Sequence, residues 1–470
     1  MAFTDRLHNR GSVSTGYDID YSIMLEGSDS EKLQRTPSSN GNMQTWTVSC
    51  WVKRTEINTD QMIFSASDTY IYFRNDNLAQ INLRSPSTGN LFLITNREFK
   101  DTAAWYHIVV RVDVGNSTAA DKCRLYVNGV QETSLSNTGY TSASGNTAWN
   151  NSSLSHKIGN YVSGDYYYHG YMAEFHSIDG QSLGPDSFGE TNTDGEWVPK
   201  EYTGTYGSQG FYLDFADASD LGDDESGNGN DFTESNIDST NQSTDTPTNN
   251  FCTLNNNSRT NGNIRTIYGG TYVSTDGGSG WVSMNATMGV SNGKWYWEGQ
   301  RENNSDGTYV MPGIASWNDP WIPHRNGGYY AGNVATGGST GWYYLNGNVY
   351  NGGSGWTGPS QGDITMFALD MDNLKFYMGK NGTWQNSSNP ATNTNGQALA
   401  WSGVSGATEI ALPTVSVYQG NRTRMNFGGY FRLNQALASG NSDANGYGTF
   451  EYEPPSGFYA LCSKNLAEFG

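Results

Sequence analysis

Short runs of β-branched and aromatic residues recur along the whole chain, separated by clusters of Gly, Asn, Asp and Ser, and helical spacing is almost absent. A period of two between turn-forming clusters is the signature of strands with one face on a core. Tyr106, Ile108, Val110 and Val112 alternate with His107, Val109, Arg111 and Asp113, so the first four form one inward row. Val48, Cys50 and Val52 form a second such row, and Cys123, Leu125 and Val127 a third. The last run ends at Asn128-Gly129, the pair that best accepts the two left-handed positions of a tight hairpin. In the second half, residues 363–370 and 375–378 form a comparable pair that ends at Asn381-Gly382. The pattern predicts an all-β fold of antiparallel β-sandwiches.

A chain of 470 residues exceeds what one core ordinarily fills, so two sandwiches in tandem are expected. The divisions read from the sequence are an N-terminal arm at 1–17, a sandwich at 18–215, a polar linker at 216–275 and a second sandwich at 276–470. The linker assignment rests on composition. Residues 239–250 hold almost no large apolar side chain, and such a stretch buries too little to offset its ordering entropy.

Charge narrows the partners. Only 15% of residues are charged, the mean hydropathy is -0.64 and the net charge is -20, so the surface is mostly neutral hydrogen-bonding groups with an acidic excess. That excess repels phosphate backbones and anionic headgroups, which argues against nucleic acid and membrane partners. No apolar run approaches the roughly 18 residues of a membrane span, and the first residues lack a signal-peptide core, so synthesis as a soluble cytosolic chain is expected. Cys50, Cys123, Cys252 and Cys462 are scattered without metal-ligand spacing, and buried free thiols are expected.

Candidate chemistry is sparse. Paired carboxylates alternating along one strand, as a glycosidase groove requires, do not occur, so an enzyme acting on polysaccharide is disfavoured. His169 and His176 stand seven apart, which on a regular strand sends their rings to opposite faces. Asp224, Ser226 and Asn228 place oxygen donors at alternating positions before Gly229, with Asp231 close by, the layout of a hard-cation loop, and calcium is its candidate ion. The same string also suits a turn closed by its own side chains. Exposed rings beside amides and carboxylates bind sugars by stacking. Tyr166, Tyr167 and Tyr168, in a Gly/Asp loop, and Trp317, Trp321 and His324, around Asp319-Pro320, are the candidate ligand-binding residues.

Several of these runs also resemble known families. Trp46-Thr47-Val48-Ser49-Cys50-Trp51-Val52-Lys53, Trp105-Tyr106-His107-Ile108-Val109-Val110, Ile158-Gly159-Asn160 and Gly170-Tyr171-Met172-Ala173-Glu174-Phe175 resemble the ordered strands of laminin-G-like, concanavalin-A-like jelly rolls. Gly293-Lys294-Trp295-Tyr296-Trp297-Glu298, Ala368-Leu369-Asp370, Tyr377-Met378-Gly379-Lys380-Asn381-Gly382 and Met425-Asn426-Phe427-Gly428 resemble a SPRY domain, interrupted by a Gly/Asn/Tyr-rich insert at 329–356. The phrases Asp224-Glu225-Ser226-Gly227-Asn228-Gly229-Asn230-Asp231-Phe232 and Pro455-Ser456-Gly457-Phe458-Tyr459-Ala460-Leu461-Cys462 are similar to those of marine tailed-phage virion proteins. The resemblance implies a non-enzymatic virion-surface protein. In that reading it is a fibre or spike subunit, homo-oligomeric, docked on other virion proteins through its N-terminal arm and binding host surface carbohydrate or protein. A capsid decoration or tail-adaptor protein that binds only virion proteins is the alternative.

Overall fold

The computed structural model describes residues 16–83, 91–139, 145–258, 264–275, 281–302, 310–316, 343–345, 348–350, 360–399, 410–418, 422–430 and 440–470. It is all-β apart from short 3-10 turns and one helix, α1 (Ser463–Phe469), among those residues. Among the described residues, two compact units divide between Thr248 and Asn249.

In the first unit the strands are β1 (Ser22–Leu25), β2 (Lys32–Arg35), β3 (Thr45–Arg54), β4 (Gln61–Ala66), β5 (Thr69–Phe73) and β6 (Leu78–Leu83). They continue with β7 (Phe92–Glu98), β8 (Tyr106–Asp113), β9 (Cys123–Val127), β10 (Val130–Gln131), β11 (Leu135–Gly139) and β12 (His156–Ile158). The unit closes with β13 (Gly170–Asp179), β14 (Gly189–Thr191), β15 (Trp197–Pro199), β16 (Phe211–Leu213), β17 (Thr233–Ser235) and β18 (Gln242–Ser243). One eight-stranded sheet runs β10-β9-β8-β3-β13-β1-β18 with β16 also on β13, and the other runs β11-β7-β6-β5-β4-β12-β2-β17. The three rows read from the alternation, Val48 to Val52, Ile108 to Val112 and Cys123 to Val127, all enter the core between these sheets. Tyr106 is only partly buried at its edge. Asn128 and Gly129 take φ of 48° and 76°, the left-handed pair that the hairpin requires. Cys50, Cys123, Cys252 and Cys462 are all free and buried.

The expected linker is the main departure. Residues 216–248 belong to the first unit: β17 extends the second sheet beside β2, and β18 extends the first beside β1. Polar composition did not prevent order because its polar groups are bonded inside. Asp245, 1% exposed, meets the ammonium of Lys53 at 2.6 Å and accepts the indole N–H of Trp105 at 3.0 Å. Thr248 Oγ accepts from the backbone of Ile19 and donates back to it. Residues 264–275 hold two strands of the second unit rather than linker.

Strand β13 departs from regular alternation. Glu174 sits at φ 50° where the register against β3 shifts between Ala173 and His176, a β-bulge that inserts one residue. Met172 and Phe175, three apart, therefore both enter the core, and the seven-residue spacing of His169 and His176 no longer separates faces. The rings still keep different partners. His169 Nδ1 lies 2.9 Å from Glu26 Oε1, whereas His176 Nδ1 lies 3.0 Å from the Tyr206 hydroxyl.

In the second unit the strands are β19 (Ile264–Ile267), β20 (Tyr272–Thr275), β21 (Trp281–Asn285), β22 (Lys294–Glu302), β23 (Val310–Ser316), β24 (Tyr343–Leu345) and β25 (Asn348–Tyr350). After them come β26 (Ile364–Asp370), β27 (Lys375–Lys380), β28 (Thr383–Trp384), β29 (Gln397–Ala398), β30 (Ala411–Tyr418), β31 (Arg422–Asn426) and β32 (Tyr459–Ala460). The described residues form a nine-stranded sheet around β31-β22-β26-β27 and a three-stranded sheet β21-β30-β23. Trp297, Phe367 and Phe376 stack at 5.6 to 6.1 Å within a core that also holds Trp295 and Val415. Tyr296 points to the opposite face, where it packs with Phe450 and Phe458 of the C-terminal segment. Asn381 and Gly382 again form a left-handed pair, at 49° and 80°.

Candidate functional site

The strand β5 reads Thr-Tyr-Ile-Tyr-Phe, and its burial alternates: Thr69, Ile71 and Phe73 are buried, while Tyr70 and Tyr72 stand half-buried on the outer face of the second sheet. Beside them the chain after β12 folds back over β4. The N–H of Gly159 donates to the Ile63 carbonyl, that of Met62 to Tyr166, and the Ser65 hydroxyl donates to the Asn160 carbonyl at 2.9 Å. A turn closed by N–H bonds from Tyr161 to Asp165 and from Gly164 to Tyr161 then carries two more rings onto the same face. Tyr70 meets Tyr72 edge-on at 5.6 Å and Tyr161 at 5.5 Å, while Tyr166 stacks on Tyr72 at 6.3 Å and leans on Tyr161 at 6.1 Å. Tyr166 is 47% exposed, which makes it one of the most exposed large hydrophobic side chains among the described residues.

Polar groups border the four rings. The Tyr72 hydroxyl donates to Gln80 Oε1 at 3.2 Å, and Arg74 Nη1 donates to the same oxygen at 2.9 Å. Asn82, opposite Tyr70 in the β5–β6 register, donates to the Asp68 carbonyl. Burial, followed by neighbouring Tyr70, pushes the Tyr72 phenol up to about 12, and burial followed by Asp68 raises Tyr161. Both hydroxyls thus stay protonated at neutral pH as donors and acceptors. A sheet of rings edged by amide, guanidinium and hydroxyl groups can stack the C–H face of a sugar and bond its hydroxyls.

Of the three tyrosines singled out in sequence, only Tyr166 reaches this cluster. Tyr167 is half-buried with the Lys32 ammonium 5.9 Å from its ring centre. Tyr168 is fully buried in the core between the sheets. Tyr70, Tyr72 and Tyr161 escaped the sequence reading, although the outward pair in β5 was visible as alternation. Trp317, Trp321 and His324 lie outside the described residues, as does most of the 329–356 insert.

In the candidate calcium loop the Asp224 carboxylate is bonded within the chain. Asp224 Oδ1 accepts the N–H groups of Tyr212 and Ser226 at 2.9 Å, and its Oδ2 accepts the Ser226 hydroxyl at 2.9 Å and the Asn230 N–H at 2.8 Å. Asn228 turns its amide to the carbonyls of Gly207 and Gly210, and Asp231 Oδ1 caps the Asp224 N–H. Arg35 lies over the rings of Phe211 and Phe232 and donates to Asn230 at 2.7 Å. The carboxylate that would ligate an ion already holds four protein donors, so the loop is closed by its own hydrogen bonds. No group of three or more His, Cys, Asp or Glu side chains suited to a metal occurs among the described residues.

Residues 26–182, which contain all four rings, match the family described as the concanavalin A-like lectin/glucanases superfamily. No curated protein matches the chain. Among solved structures, the SPRY domain of human HERC1 is similar at 20% identity and a TM-score of 0.25, over 37% of this chain and 96% of that one. A heptameric SAP-like pentraxin from Limulus polyphemus is similar at 16% identity and a TM-score of 0.27, over 36% and 80%. A putative carbohydrate binding protein from Bacteroides ovatus is similar at 12% identity and a TM-score of 0.32, over 47% of this chain and 61% of that one.

Proposed function

We propose that this chain is a non-enzymatic carbohydrate-binding protein whose first sandwich holds a neutral glycan on the tyrosine cluster of Tyr70, Tyr72, Tyr161 and Tyr166. The observation that carries the reading is four mutually packed rings on the outward face of the sheet, one of them half-exposed, bordered by Gln80 and Arg74. The lectin-type superfamily match over residues 26–182 supports it. A net charge of -20 disfavours polyanionic glycans, so recognition rests on stacking and neutral hydrogen bonds. Individual stacking contacts are weak, and display of several copies would raise the effective concentration of each further site. The setting proposed is the surface of a tailed-phage particle, on the strength of the sequence phrases alone, with the chain as an appendage subunit bound to other virion proteins.

Binding of oligomerised protein to a panel of purified neutral polysaccharides tests the site. Tyr72→Ala and Tyr166→Asn should each weaken labelling by about 1 kcal/mol, or several-fold, in protein that circular dichroism shows to be folded. Asn is chosen at 166 because the residue there sits at φ 55°, which Asn tolerates. Folded variants that bind as well as the wild type would remove the cluster as a glycan site. Binding to purified virion proteins with no glycan bound by the wild type would favour the decoration or adaptor role.

A further inference from the structure

We propose that Lys53 and Asp245 condense into an intramolecular amide bond that covalently clamps the last segment of the first unit onto its sheet. Lys53 lies on β3 and Asp245 two residues beyond β18, 192 positions apart, yet Nζ and Oδ2 meet at 2.6 Å with side chains 0% and 1% exposed. Aromatic groups wall the pair. The Tyr171 ring centre lies 5.5 Å from Nζ, Trp105 packs against Tyr171 at 6.1 Å, and the Trp105 indole donates to the other carboxylate oxygen at 3.0 Å. Asp245 is held from its backbone as well: its N–H donates to Ser243 Oγ at 3.0 Å and its carbonyl accepts from Ser22 Oγ at 2.7 Å.

Such an enclosure favours the reaction for three reasons. Away from water, separated charges are costly, and condensation removes both by forming a neutral amide. Nζ is held 2.6 Å from Oδ2, which is itself bonded to the electrophilic Cγ, a placement that replaces a bimolecular encounter. The Trp105 N–H points at Oδ1, where negative charge develops when the amine adds. The Nζ–Cγ bond forms, the Cγ–Oδ2 bond breaks, and Oδ2 departs as water with two of the three ammonium protons. No oxidation state changes and no co-reactant is consumed.

Intact-mass spectrometry of the full-length protein, folded by circular dichroism and then denatured, reads the bond directly. The wild type is expected one water lighter than its sequence. Trypsin should fail to cut after Lys53 and release a branched peptide joining the sequences around Lys53 and Asp245. Lys53→Arg, which keeps the charge but not the nucleophile, should restore the full sequence mass, and Asp245→Asn should lose one ammonia instead of one water. A folded wild type at its full sequence mass overturns the proposal and leaves an ordinary buried ion pair. So does a missing water that persists in Lys53→Arg.

Discussion

Glu298, on β22, is fully buried, and its carboxyl offers a measurable test of how the second unit balances burial against hydrogen bonding. Four groups donate to it: the Tyr296 hydroxyl at 2.8 Å, the N–H groups of Glu451 and Tyr452 at 2.9 and 2.8 Å, and the Asn426 amide at 3.4 Å. These bonds favour the ionised form, but burial outweighs them and pushes the group from 4.5 up to about 7. Between those two values the folded protein holds a proton that the unfolded chain has released. The stabilisation from the protonated group is complete below about 4.5 and is lost as pH rises through about 7. At about 1.4 kcal/mol per pKa unit, the loss is on the order of 3 kcal/mol. Urea unfolding followed by tryptophan fluorescence from pH 4 to pH 8 measures it against Glu298→Gln, which carries no titrating proton. The variant has a constant offset because its amide N–H₂ meets backbone donors, but its stability relative to the wild type should rise by about 3 kcal/mol across the range. A relative stability flat to within about 1 kcal/mol would refute the reasoning. A fall with pH would show that the four donors, not burial, decide the charge.

Three further outcomes follow from the geometry. Adding calcium or chelator should leave the melting temperature unchanged, because the Asp224 oxygens are already occupied, whereas Asp224→Ala should cost about 1–3 kcal/mol in thermal unfolding by stripping buried N–H groups of their acceptor. Gly170→Ala should destabilise the first unit by at least about 1–3 kcal/mol, since a Cβ there would lie 2.0 Å from the Lys53 carbonyl at φ 140°, and an unperturbed melting curve would contradict the close approach of β13 to β3. Limited proteolysis should spare residues 216–248, which are bonded into the first unit, and early cutting at 239–245 would count against the docked segment.

What the sequence alone determined is local in origin. Val48, Cys50 and Val52 had to share a face because strand side chains alternate, and Asn128-Gly129 and Asn381-Gly382 had to turn because few other pairs accept two left-handed positions. Fold class follows from such signals repeated along the chain, and the two units from a length beyond what one core fills. Tertiary structure decided whatever depends on partners far apart. Residues 239–248 look like a linker until Asp245 meets Lys53 across 192 positions, and the local string around Asp224 does not show that Tyr212 and Asn230 donate to its carboxylate. The bulge at Glu174 reverses the face assignment that regular alternation gives, since one inserted residue shifts every later side chain. The tyrosine site is of the same kind. Tyr70 and Tyr72 come from one strand and Tyr161 and Tyr166 from a loop about ninety residues later, so no spacing announces them. Only the fold of that loop over β4 brings the rings together, because backbone hydrogen bonds to Ile63 and Met62 fix where it crosses the sheet.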